Sequence, residues 1–124
     1  MAPRGHFFED FRIGQRFQHA TPRTLHGGDL ALYIALTGDR RPLSSSTEFA
    51  RSLGFAREVA HELLGFHVVF GKTVGDISYN AVANLGYAEG RFGVPAYPGD
   101  TLYSVSEVIG LKETSAGDSG RAYK

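Results

Sequence analysis

The spacing of apolar residues changes along the chain, giving an extended start, a helical middle and an extended end. Phe7, Phe8, Phe11 and Ile13 point toward a core, and after Gly14 residues 16–21 fit a strand that stops at Pro22. Gly27, Gly28 and Asp29 offer a turn and an N-cap. Leu30, Tyr33, Ile34 and Thr37 then recur at i, i+3, i+4 and i+7 until Gly38, which predicts a short amphipathic helix. Capping chemistry over residues 44–48, then Phe49, Ala50 and Leu53 before Gly54, predicts a second one. Over residues 58–74, Val59, Leu63, Leu64, Phe66, Val68, Val69, Phe70 and Val74 cover nearly every side of a helical projection, the pattern of a long buried helix. Residues 80–87, 91–94, 101–111 and 120–123 read as strands, with turns at 98–100 and 116–118. Helices first and antiparallel strands after predict an α+β domain whose sheet wraps the long helix.

Composition narrows the function. The chain has 124 residues, enough for one domain and one core. A 42% apolar share with nine Phe and six Tyr excludes a disordered tail, and no apolar run approaches the roughly 20 residues of a spanning helix. Thirteen basic and thirteen acidic residues cancel, which argues against nucleic-acid and membrane partners. Cysteine is absent, so no disulfide scaffold, thiolate zinc site or Cys nucleophile can form. The first six residues lack an apolar segment behind their charge, so a secretory signal is not expected and the chain is placed in the cytoplasm.

Several motifs fail on inspection. His61-Glu62 opens like the zinc-protease signature, but the second ligand position is Gly65, so no metal site is expected. Gly86, Gly90 and Gly93 lack dinucleotide-loop spacing, and no phosphate-binding loop is present. The absence of a Gly-x-Ser-x-Gly elbow argues against serine hydrolysis, and Ser44, Ser45 and Ser46 read as a helix cap. His67 reads as a hydrogen-bonded core histidine, while His6, His19 and His26 form no recognisable constellation. The aromatics Phe66, Phe70, Tyr87 and Phe92 read mainly as core, with room for one or two to line an acyl tunnel.

Three runs carry a resemblance to a known family. The helix through Tyr33 into Gly38, Asp39, Arg41, Pro42 and Leu43 resembles the helix and Gly-Asp-x-Asn-Pro-Leu-His loop of the MaoC-like dehydratases, which include the R-specific enoyl-CoA hydratases. Ala60-His61 resembles the opening of that family's buried helix, and Pro95, Gly99 and Asp100 resemble its Pro-Val-x-x-Gly-Asp hairpin. The runs at 7–12, 19–24, 66–74 and 84–88 further resemble the amino-terminal half of longer members that act on mesaconyl-CoA and β-methylmalyl-CoA. Those members carry a second hot-dog half.

The resemblance implies a hot-dog fold and a lyase that hydrates or dehydrates an acyl-CoA, with the CoA thioester as substrate and no cofactor. Such chemistry needs a base to activate water, an acid for the α-proton, and donors for the charge on the thioester oxygen. In the family, an Asp and a His on the loop supply the first two, and N–H groups at the buried helix N-terminus lie near the carbonyl. Here the Asp position is Asp39, but the Asn position is Arg41 and the His position is Ser44, which cannot serve as a base near neutral pH.

Asp39 therefore admits three readings: a working carboxylate with help from elsewhere, a relic in a half that only binds substrate, or a cap in a Gly-Asp turn. Arg40 and Arg41 are candidates for CoA phosphates or a free acyl carboxylate, with a solvated surface loop as the alternative. His61 is the candidate beside the thioester oxygen. Glu62 replaces the family's Gly, crowding or charging that oxyanion site. Unpaired sheet edges in hot-dog domains are usually buried by pairing, so a homodimer or a second hot-dog half is expected. A non-catalytic CoA-binding half is the principal alternative to an enzyme, and a thioesterase on the same fold a further one.

Overall fold

The computed structural model describes residues 5–113 and divides them into two compact units. Helices and antiparallel ladders make each strand pairing long-range in sequence, an α+β arrangement.

The first unit comprises residues 5–21, 70–90 and 104–113. A 3-10 turn at Phe8–Asp10 is closed by the Asp10 carboxylate, which accepts the Phe7 N–H at 2.8 Å. Strand β1 is Arg16–Gln18, and Arg16, Phe17 and Gln18 pair antiparallel with Glu107, Ser106 and Val105 of β4 (Val105–Glu107). The bonding continues at both ends: His19 N–H donates to Ser104 O at 3.0 Å, and Val108 N–H to Gln15 O at 2.9 Å. His6, Phe11 and Phe17 pack their rings with centroids 5.1–5.9 Å apart. A π-type turn at Val74–Ser78 also belongs here.

The second unit comprises residues 22–69 and 91–103. Strand β2 (Arg23–Thr24) pairs antiparallel with β3 (Thr101–Leu102), and the Thr24 and Thr101 hydroxyls meet at 2.8 Å. Helix α1 spans Gly27–Thr37, α2 Pro42–Ser45, α3 Thr47–Ser52 and α4 Glu62–Thr73, whose last four residues count with the first unit. Leu25, Leu30, Ala60 and Leu64 form the core, with Tyr33, Val68, Ala96 and Leu102 packed against it.

Local chemistry moves the helix starts from their expected positions. α1 begins at Gly27 because Asp29 sits one turn inside it: the Asp29 carboxylate accepts His26 N–H at 2.8 Å and a two-pronged bond from Arg23 at 2.8 and 2.9 Å. That Arg23 bond, then the His26 amide, holds the Asp29 carboxyl well below the usual carboxylate range. α3 takes Ser46 as its cap, with Ser46 Oγ accepting Phe49 N–H at 3.1 Å.

The long helix departs most from expectation. It starts at Glu62 because Val59 N–H donates to Leu43 O at 3.0 Å and Ala60 N–H to Ala96 O at 2.8 Å, so residues 58–61 run as a strap and not as a helical turn. Of its own side chains only Leu64 is buried. The expected strands at 80–87 and 91–94 form no ladder among the described residues, and β3 and β4 are separated at Tyr103 and Ser104. Positive φ at Gly86 interrupts the first of these segments, and positive φ at Glu89 falls between the two. The described residues hold two two-stranded ladders, one in each unit. The turn at 116–118 and the strand at 120–123 lie outside the described residues.

Candidate functional site

Gly38 ends α1 in the left-handed conformation at φ 69°, donating its N–H to Ile34 O at 2.9 Å. This sharp exit aims Asp39 inward, and its side chain is only 8% exposed. Asp39 Oδ1 accepts Arg41 N–H at 3.1 Å, an Asx turn that leads into α2, where Pro42 supplies the preset first helical residue. Asp39 Oδ2 is buried and accepts no hydrogen bond from any described residue. One oxygen fixes the turn, and the other is unengaged.

Arg41 joins Asp39 to the start of α4. Its Nη1 donates to Glu62 Oε2 at 2.9 Å, its Nη2 reaches the buried Ser44 Oγ at 3.4 Å, and its Nε lies 3.6 Å from Asp39 Oδ1. Arg41 Nε is itself buried without a hydrogen bond. The guanidinium is therefore shared between two carboxylates, and an incoming anion would have to displace Glu62. The Glu62 carboxyl is held below its ordinary range, first by its own backbone N–H and then by Arg41. Arg40 is exposed and takes no part in these bonds.

His61 is the residue immediately before α4, and its ring caps the helix. Nδ1 accepts Leu63 N–H at 3.1 Å, while His61 O accepts Leu64 N–H at 2.9 Å and Gly65 N–H at 3.3 Å. The ring packs on Tyr33 of α1, centroids 5.2 Å apart. Asp39, Arg41, Ser44, Glu62 and His61 thus form one connected group, and Arg40 stands apart.

A second polar group lies in the first unit, and sequence reasoning missed it. His19 Nδ1 meets Asp76 Oδ2 at 2.7 Å, and its Nε2 meets Ser106 Oγ at 2.7 Å. His6 Nδ1 binds Asp76 O at 2.6 Å. The connectivity is that of a Ser-His-Asp relay, but the His19 side chain is 0% exposed and no substrate can reach it. The group is a strut joining β1, β4 and the π-type turn. Partners 57 and 87 residues away leave no local signal in the sequence.

The family model for the MaoC like domain matches residues 9–124. Beta-methylmalyl-CoA dehydratase of Chloroflexus aurantiacus is 60% identical over 96% of this chain and 34% of its own length. Mesaconyl-CoA hydratase of Cereibacter sphaeroides is 61% identical over 94% of this chain and likewise 34% of its own length. A solved MaoC domain protein from Chloroflexus aurantiacus superposes with a TM-score of 0.87 at 62% identity, over 90% of this chain and 32% of that one. The chain spans about a third of the length of these relatives.

Proposed function

The chain belongs to the MaoC-like domain family, with its hot-dog α+β fold, and on that premise we propose that it takes part in hydrating an acyl-CoA. The reaction is addition of water to mesaconyl-CoA, or its reverse from β-methylmalyl-CoA. The observation that carries the proposal is Asp39: a buried carboxylate oriented through Oδ1, with Oδ2 unengaged. Oδ2 takes a proton from water as the new O–C bond forms at the β-carbon. The double-bond electrons move onto the thioester oxygen, and the Asp39 carboxyl then returns its proton to the α-carbon, completing the addition. No cofactor is needed. Arg41 is the residue suited to the free carboxylate of such a dicarboxylic acyl group, with Glu62 holding its place until substrate arrives.

Pairing with a second hot-dog half or a second copy is part of the proposal. The share of the relatives' length supports it, as do large exposed apolar side chains such as Val94 at 89% and Ile109 at 90%. No helix among the described residues is long and apolar enough to cross a membrane, and cytoplasmic placement remains part of this reading.

Loss of enoyl-thioester absorbance on mixing the protein with mesaconyl-CoA or crotonyl-CoA, beside a CoA titration, tests the proposal. Turnover supports the enzyme. Binding without turnover supports the second reading, a substrate-holding half, which the buried Ser44 at the family's His position favours.

A further inference from the structure

We propose that the neutral imidazole of His61, through its Nε2–H, is the donor that holds the thioester oxygen, in place of the backbone N–H groups of the α4 N-terminus. This rests on the acyl-CoA hydratase reading above.

The amides of the first turn are already committed. Leu63 N–H goes to His61 Nδ1, Leu64 and Gly65 N–H go to His61 O, and Glu62 N–H faces its own carboxylate. A developing oxyanion would have to break one of these bonds. The ring is committed in the opposite sense. An amide N–H can only donate, so the Nδ1 that accepts it carries no proton, and a neutral ring then bears its proton on Nε2. The tautomer follows from the backbone.

Around the ring, Glu62 Oε2 lies 3.6 Å from Nδ1 and is itself bound to Arg41 Nη1 at 2.9 Å, while Tyr33 packs against the imidazole. A neutral imidazole at a helix N-terminus is a known kind of electrophile for a carbonyl. The His61 side chain is 20% exposed, so a ligand atom can reach it, and it is preoriented by the cap and by Tyr33. Asp39, more than nine-tenths buried with Oδ2 unpartnered, joins the same group through Arg41 and Glu62 and marks where a reacting ligand would be met.

The test uses butyryl-CoA labelled with ¹³C at the thioester carbonyl, which lacks the double bond and cannot be hydrated. Isotope-edited infrared difference spectra should show the carbonyl band move to lower frequency on binding. His61→Ser keeps a capping oxygen but has no N–H within reach of the carbonyl. It should return the band to its free position with Tm and CoA affinity little changed, and lower kcat on crotonyl-CoA roughly 10²–10³-fold with KM nearly constant. His61→Gln, which keeps an N–H of similar reach, should restore part of the shift. A shift that survives His61→Ser overturns the inference and leaves the hydratase reading standing. Failure of the wild-type protein to bind butyryl-CoA overturns both.

Discussion

Each unit holds one histidine wired to a carboxylate-bearing network, and the two are wired in opposite directions. His19 uses Nδ1 to donate to the Asp76 carboxylate while its Nε2 is taken up by the Ser106 hydroxyl; His61 uses Nδ1 to accept Leu63 N–H, so its Nε2 carries the proton. The His19 chain ends on itself around a fully buried imidazole, with each of its three side chains hydrogen-bonded. The Asp39–Arg41–Glu62–His61 group has loose ends: Asp39 Oδ2, Arg41 Nε and the Nε2 of a partly exposed imidazole. Polar groups that are buried and closed hold a fold together, whereas those left open at matched positions invite a ligand.

The comparison breaks most sharply at the two aspartates. Asp39→Asn should lower turnover of mesaconyl-CoA roughly 10²–10⁴-fold, the range for a lost general base, while Tm and CoA affinity stay near wild type. Steady-state kinetics beside a CoA titration reads both effects, and unchanged turnover would place the base elsewhere. Asp76→Ala should do the reverse. It leaves the buried His19 Nδ1–H without its acceptor, a cost of about 1–3 kcal/mol in chemical denaturation, with kcat unaffected once folded. Loss of turnover in folded Asp76→Ala would show that the His19 network is no mere strut.

The open group was largely legible in the sequence because its residues are fixed by local rules. Gly38 is needed for the left-handed exit, Asp39 for the Asx turn and Pro42 for the first turn of α2, all within five positions. His61 and Glu62 were legible through the resemblance of Ala60-His61 to the opening of the family's buried helix. The closed group was not legible because His19, Asp76 and Ser106 obey no local rule, and only the β1–β4 register brings them together. The same reason explains the misplaced start of α4: the amides of Val59 and Ala60 are claimed by Leu43 and Ala96, and neither claim leaves a trace in periodicity. The strands expected at 80–87 and 91–94 were misread for the same kind of cause, since strand pairing depends on partners and not on composition.

A third site sharpens the rule on a smaller scale. Ser46 closes the first turn of α3 through one bond to Phe49 N–H, so it behaves as a one-member closed network. Ser46→Ala should cost about 1 kcal/mol in urea denaturation, with Ser46→Asp restoring it and neither touching turnover. An effect on turnover would mean that α3 reaches the substrate.

The smallest expected effect concerns a closed pair at the surface. The Arg57 guanidinium and then the Thr47 hydroxyl, 2.7 and 2.6 Å from the Glu58 carboxylate, bring that carboxyl from an ordinary 4.5 down to about 2. A carboxyl depressed in the folded state adds stability that is fully present above the unfolded value and lost as pH falls through the folded one. Urea midpoints should therefore fall between about pH 4.5 and 2, and Glu58→Gln should flatten part of that slope. The exposed Arg57 side of the pair is screened by salt, so the Arg57 share should shrink in 1 M NaCl while the shielded Thr47 share persists. Asp29, depressed in the same direction by Arg23, contributes with the same sign, so Asp29→Asn is the control that separates the two. If Glu58→Gln leaves the acid slope unchanged while Asp29→Asn removes it, the surface pair is closed in geometry yet idle in energy, and burial, not closure alone, is what makes the His19 strut matter.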